Sequence, residues 1–258
     1  MDYLSGDFIL QLQQILIIIL CALLVGVSKT GVPGVGILCV PLMALVFSAK
    51  MSTGLLLPML AFADVFAVLY YHRHAQWKHV RRLLPWALLG IGVGSLIIRN
   101  INDAQLKPVI GFIVLVMLLV NYWRLRRNGD ELNVPTHWGF AASLGFAAGV
   151  TTCLANAAGP IVVIYLLAMR LPKNAFIGTA AWYSLILNWL KIPLFVWDGR
   201  INMASFKLDL IMLPAIAVGA LVGIVILKKI PQKYFNLIIQ LLALAAAVKL
   251  CWSAWYLF

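Results

Sequence analysis

Apolar residues run in ten blocks, five before residue 128 and five after it, separated by turn residues and short basic clusters. In the first half the blocks are about 8–28, 33–48, 52–71, 83–98 and 106–123; in the second they are about 138–152, 158–171, 175–197, 208–227 and 234–256. A hydrocarbon layer of ~30 Å takes roughly 20 helical residues, so most blocks read as membrane-crossing helices. The blocks 33–48, 138–152 and 158–171 fall short. Unpaired backbone is costly in lipid, so a short, glycine-broken segment at membrane depth must face protein or a watered cavity. Half-helices or steep hairpins are expected at these places.

The pattern is also written twice. Gly26-Val27-Ser28-Lys29-Thr30-Gly31-Val32-Pro33-Gly34-Val35-Gly36 recurs about 123 positions later as Gly149-Val150-Thr151-Thr152-Cys153-Leu154-Ala155-Asn156-Ala157-Ala158-Gly159. Lys50 falls on Lys173 at the same offset, and Gly54 and Asp64 fall on Gly178 and Asn188 one residue later. After a further small insertion Pro85, Gly90, Gly94, Ile101 and Trp123 meet Pro214, Gly219, Gly223, Ile230 and Trp252. Glycine and leucine match by chance in lipid-facing helices, but ordered Pro, Lys and Trp matches do not follow from composition. The expected organisation is two transmembrane repeats of about 125 residues, 1–128 and 129–258. Each carries a Gly/Pro-broken short-helix pair, a plan characteristic of transporters.

Loop charges orient the repeats. Arg73, Lys78, Arg81 and Arg82, then Arg124, Arg126 and Arg127, then Arg170 and Lys173, then Lys228, Lys229 and Lys233 read as cytoplasmic edges. The 99–107 and 198–209 loops, which carry acids as well as bases, then face outward. Each half crosses an odd number of times, which makes the repeats inverted, with both termini outside. A parallel plan with four spans per half would put the 228–233 lysines on the outer face.

Composition fixes the solvent: 64% hydrophobic and 11% charged residues, with a mean hydropathy of +0.99, leave a 258-residue chain too little polar surface for water. The net charge of +12 is spread over short inter-helix runs rather than a stripe on a soluble face, so no nucleic-acid partner is expected. The stretch Met1 to Asp7 is acidic where a secretory signal would be basic, so the first apolar block is expected to be retained. Cys21, Cys39, Cys153 and Cys251 lie in apolar stretches without metal-ligand spacing. His72, His74 and His79 share a loop whose basic neighbours repel cations. No metal, no cofactor and no enzyme chemistry is expected, because catalytic carboxylate pairs, nucleophile elbows and phosphate-binding loops are absent from the sequence.

The candidate chemistry sits at the two breaks. A helix start offers free N–H groups and roughly half a positive charge, so converging broken helices bind an anion through backbone. Gly31, Gly34 and Gly36 would let a ligand approach the chain, and Thr30, Thr151, Thr152, Asn156 and Gly159 would supply hydroxyls, an amide and N–H groups. Tight helix packing through small residues is the competing use of the same glycines. Asp64 and Lys191 lie turns deep in apolar blocks, where an ionised group costs at least ~2.5 kcal/mol. Asp64 is expected to carry or gate a coupling proton. Lys191, one turn beyond Asn188, either attracts the anion, pairs structurally, or snorkels to the boundary. Lys29, at the first break, either binds or reaches the membrane edge.

The run Gly26 to Gly36 followed by Pro41, the Asp64 helix, the Pro85–Gly90–Gly94 helix, and a second stretch ending in Asn156, Gly159 and Pro160 resemble the sulfite exporter TauE/SafE family over nearly the whole chain. The resemblance implies a duplicated, multi-pass permease of the cell inner membrane for small sulfur-containing anions such as sulfite, sulfonates or related oxyanions. An anion channel and a carrier of small carboxylates are the alternatives. Oligomeric state is not readable from the sequence.

Overall fold

The computed structural model describes residues 11–31, 35–126, 138–229, 241, 243–245, 247–249 and 251–252. The chain is an all-α polytopic membrane protein. Among the described residues, five helices are long and apolar enough to cross a bilayer, and six if the bent pair Met203–Ile211 and Leu213–Val225 is taken as one span. The order is α1 (Leu12–Thr30), α2 (Gly36–Val46), α3 (Ala49–Tyr71), a 3-10 turn at His72–His74, α4 (Trp77–Asn100), α5 (Asp103–Arg126), α6 (Trp138–Ala155), α7 (Gly159–Ala168), α8 (Lys173–Trp197), α9 (Met203–Ile211) and α10 (Leu213–Lys229). The apolar block expected at 234–256 falls largely outside the described residues.

α3 lies at the centre. Of its most apolar 18-residue window 78% is buried, against 33–44% for the other spans. It crosses α8 in antiparallel fashion. Gly178 packs on Tyr71, Asn188 meets Asp64, and Gly54 packs on the Arg200 backbone, so one index rises as the other falls. The start of α8 therefore shares a side with the 72–82 segment, and the end of α8 shares the other side with the start of α3.

Both glycine clusters turn back on themselves. α1 and α2 form a hairpin: Gln14 Nε2 donates to the Val46 carbonyl at 3.2 Å, and near the tip the Gly36 N–H donates to Ser28 Oγ at 3.0 Å. The first break starts later than the sequence pattern suggests, because the helix runs through Gly26 to Thr30, where Thr30 Oγ1 donates to Gly26 O (3.1 Å) and Ala220 O (2.7 Å). α6 and α7 form the second hairpin through Asn156, whose φ of 51° is left-handed. Asparagine is among the few residues that adopt this region readily. Pro160 then starts α7 where its missing N–H costs nothing.

Each hairpin is wedged against a long helix of the other half. α6 runs parallel to α4, and a Cβ on Gly149 would strike the Ala87 carbonyl, while one on Gly90 would strike that of Phe146. α1 runs parallel to α10 in the same manner, with Gly219 against Leu23 and Gly223 against Val27 and Thr30. Backbones approach this closely only where side chains are absent. The block expected as one segment at 208–227 is two helices bent by 45° around Met212. Pro214 lacks the N–H that would continue the ladder.

Candidate functional site

At the α3–α8 crossing, Asn188 Nδ2 donates to Asp64 Oδ2 at 2.6 Å, and Lys29 Nζ lies 2.7 Å from Asp64 Oδ1. Asp64 has no exposed surface, whereas the Lys29 side chain is 20% exposed. Within lipid, such a carboxylate is kept by its ion pair and its amide donor together. Lys29, in the last turn of α1, reaches this point because that helix runs to Thr30.

A cavity of about 160 Å³ begins at this crossing and reaches toward the start of α8. Its polar end is formed by Ser28, Lys29, Asp64, Thr152, Asn156, Ser184 and Asn188. Leu60, Val162, Phe176 and Leu187 supply apolar wall. Ala158 and Gly159, which open α7, also line it. No side chain caps α7, and a Cβ added at Gly159 would meet nothing within 4 Å. Pro160 has no N–H here and the Ile161 N–H is taken by the Ala158 carbonyl, so it is the helix dipole and the open approach at Gly159 that favour an anion.

Beneath the polar end lies a second cationic group. Lys191, with no exposed surface, donates to Thr152 O (3.1 Å), Thr152 Oγ1 (2.7 Å) and Asn156 Oδ1 (2.8 Å), which satisfies its three N–H bonds. Asn156 is held in turn by its donation to the Thr53 carbonyl at 2.9 Å. Arg200, 3% exposed, donates to the Cys153 carbonyl and to Asp198 Oδ2, both at 3.0 Å, and its guanidinium lies 3.2 Å from the centre of the Phe195 ring. Arg99 reaches the same Asp198 at 3.5 Å. The last carbonyls of α6, the negative end of its dipole, therefore receive two cations.

The arrangement is a small hollow between two broken hairpins, one cation at its edge and an uncapped helix start in its wall. Residues 18–250 match the profile of the family described as Sulfite exporter TauE/SafE. The chain belongs to the TauE/SafE family. Neither the curated proteins nor the solved structures contain a match. Membership implies a membrane transporter of sulfite or related anions, as the family's members are transporters.

In this TauE/SafE protein, Lys29, Gly36, Asp64, Thr152, Asn156, Gly159 and Asn188 all line the cavity. Lys191 does not line it and sits directly behind Thr152 and Asn156; its burial rules out a lysine snorkelling to the boundary. Three expected site residues do not line it. Thr30 bonds to Gly26 and Ala220 and Gly31 packs on the Gly223 backbone, both on the side of the first hairpin turned to α10. Thr151 Oγ1 donates to the Ala147 carbonyl of its own helix at 2.9 Å. Gly34 lies outside the described residues. Ser28, Ser184 and Arg200 were not singled out from the sequence. Ser28 borders Lys29 and could have been read from the repeat, but nothing in hydropathy distinguishes Arg200 from an ordinary loop arginine.

Proposed function

We propose that the protein is a secondary transporter of the cell inner membrane that exports small sulfur-containing anions such as sulfite or short sulfonates by alternating access. The carrying observation is the cavity bounded by both hairpins, with Lys29 and the uncapped start of α7 on one hollow. Its volume of about 160 Å³ resembles that of an engineered cavity of ~150 Å³ that holds one benzene. A compact anion with a short apolar body matches both ends of it. Two inverted repeats, 1–128 and 129–258, account for the wedging of each hairpin on the other half. They also account for the contact between Asp64 and its repeat counterpart Asn188, since only residues near a two-fold axis touch their own counterparts. The loop charges make the 72–82 side cytoplasmic, so the cavity is the inward-facing state. On the opposite side Lys191 and Arg200 are buried beneath it, which favours a carrier over an open channel.

The Lys29–Asp64 pair suggests how a proton enters. An anion and the Asp64 carboxylate compete for one ammonium, and a proton on Asp64 releases Lys29 to the anion. Occupancy of the site then rises as pH falls. Export of a monovalent anion is already favoured by ~2.3 kcal/mol at about 100 mV, roughly 50-fold in concentration, so the proton would set direction and stoichiometry rather than supply the main drive.

The test is flux in proteoliposomes with sulfite, thiosulfate, methanesulfonate and acetate. Saturable sulfur-anion flux stimulated by the same anion on the far side is expected; acetate transport without sulfur anions, or non-saturating flux, rejects the reading. Asp64→Asn should remove the pH dependence, and pH-dependent transport that survives it rejects the proton role.

A further inference from the structure

We infer that Lys191 and Arg200 form a second oxyanion-binding station, occupied when the transporter is open on the 198–209 side; this rests on the transport reading above. In the present state both cations are engaged, Lys191 by no charged group in direct contact and Arg200 by a carboxylate it shares. Every bond made by Lys191 Nζ goes to an uncharged oxygen of Thr152 or Asn156. Arg200 has one carboxylate, Asp198, and shares it with Arg99. Its Nε is buried without a hydrogen-bond partner. Asp198 is thus the one carboxylate in direct contact with these cations; Asp64 attracts Lys191 only from a distance and is itself paired with Lys29. Lys191 Nζ lies 5.7 Å from the centre of the Phe195 ring and the Arg200 guanidinium 3.2 Å, so the pair stand within about 9 Å of each other on one ring.

Capping the end of α6 does not require this. A neutral amide or hydroxyl satisfies a helix-end carbonyl, while each uncompensated charge at membrane depth costs at least ~2.5 kcal/mol. The excess positive charge is matched when a small oxyanion sits between Lys191 and Arg200. Access to them is controlled by the hairpin itself. Thr152 and Asn156 line the cavity on one side and hold Lys191 on the other, so a shift of the α6–α7 hairpin against α8 releases Nζ and the guanidinium together. The anion bound at Lys29 and the start of α7 is then handed across the Thr152–Asn156 layer. Lys29 corresponds to Thr152 in the repeat, so the two stations are built from different residues and each can be altered alone.

Sulfite is the probe, with methanesulfonate as a second arm, and half-saturation is measured separately from each face of oriented proteoliposomes. Lys191→Gln keeps donors for Thr152 and Asn156 but removes the charge, and Arg200→Met removes the second cation. Each is expected to raise the half-saturation constant from the 198–209 side at least tenfold, while changing that from the 72–82 side less than twofold. Arg200→Lys should recover most of the loss. Equal changes on both faces, or wild-type constants on both faces in the charge-free variants, overturn the station. If Arg200→Met does not fold, the Lys191→Gln and Arg200→Lys arms decide. A wild-type protein that moves neither anion from either face rejects the transport reading itself, and the station falls with it.

Discussion

The two glycine-broken hairpins share a sequence pattern but hold their charges in opposite ways. At the first, Lys29 reaches across to a carboxylate and stays partly exposed at the cavity edge. At the second, Lys191 is sealed behind the turn and bonds only to neutral oxygens. The two hairpins thus share a backbone break while their charged groups differ in what they bond. One ammonium stands at the edge of the cavity, and the other secures the layer beneath it.

The largest effects should separate packing glycines from the open one. Gly149→Val places its side chain into the Ala87 backbone at the α4–α6 seam, and backbone at a helix seam yields less than a side chain does. Loss of the monodisperse folded protein in detergent is expected. Gly159→Val, ten residues on, meets nothing within 4 Å. It should leave thermal unfolding within a few degrees of wild type and still abolish sulfite flux by filling the cavity. If both variants fold and transport alike, the division of the glycines between seam and cavity is wrong.

Next in size is the comparison of the two lysines. Lys29→Met leaves Asp64 buried without its ion partner, a change that costs about 3–5 kcal/mol. Lys191→Met removes a charge whose partners are neutral, and stranding their oxygens costs about 1–3 kcal/mol. Unfolding in detergent should therefore place Lys29→Met lower in stability. Adding Asp64→Leu to Lys29→Met should recover most of the loss, since the two residues are coupled. A double variant no more stable than the single one would show that Lys29 and Asp64 do not depend on each other.

The breaks, the short helices α2 and α7 and the depth of Asp64 and Lys191 were legible because each violates a simple rule of chains in lipid: too short, too broken or too charged. The block 138–152, expected to fall short, is instead part of the 18-residue α6, long enough to cross. The repeat offset paired Asp64 with Asn188 in the alignment, but that the two touch is seen only in the fold. Register around each break was not legible. Gly31 looks like a ligand-approach glycine in sequence, yet it serves the α1–α10 seam, because hydropathy does not say which face of a hairpin meets its neighbour. Arg200 was invisible for a related reason. Its burial depends on the end of α6 lying beside it, where the Cys153 carbonyl receives it, a tertiary fact with no local signature. The bend at Met212 was signalled by Pro214, but prolines also lie inside α3, α4 and α8 without dividing them.

A smaller effect tests the turn of the second hairpin. Asn156 combines a φ of 51° with two side-chain bonds, to Lys191 and to the Thr53 carbonyl. Asn156→Gly removes the bonds and keeps the turn, whereas Asn156→Ala also forces a Cβ into left-handed geometry at about 1–2 kcal/mol. Alanine should be the less stable of the two by that amount. Equal stabilities would mean that the turn relaxes to another conformation once the amide is gone.

The smallest expected effect lies where each hairpin feeds its long central helix. α3 starts with Ser48 accepting from the Met51 N–H at 3.4 Å, and Asp103 adds two shorter bonds, accepting from the N–H groups of Ala49 and Lys50 at 2.8 Å each. α8 starts at Pro172 with no side-chain cap. A carboxylate at a helix start satisfies orphan donors and complements the dipole, so Asp103→Asn should cost about 1 kcal/mol. It pins α5 to the first hairpin's exit, and no such tie is made at Pro172. Hydrogen exchange should accordingly show the α8 start opening more readily than the α3 start in the wild type, with Asp103→Asn bringing the two together. If the two starts exchange alike before the substitution, the asymmetry between the hairpins ends at their charged groups and does not extend to the helices they lead into.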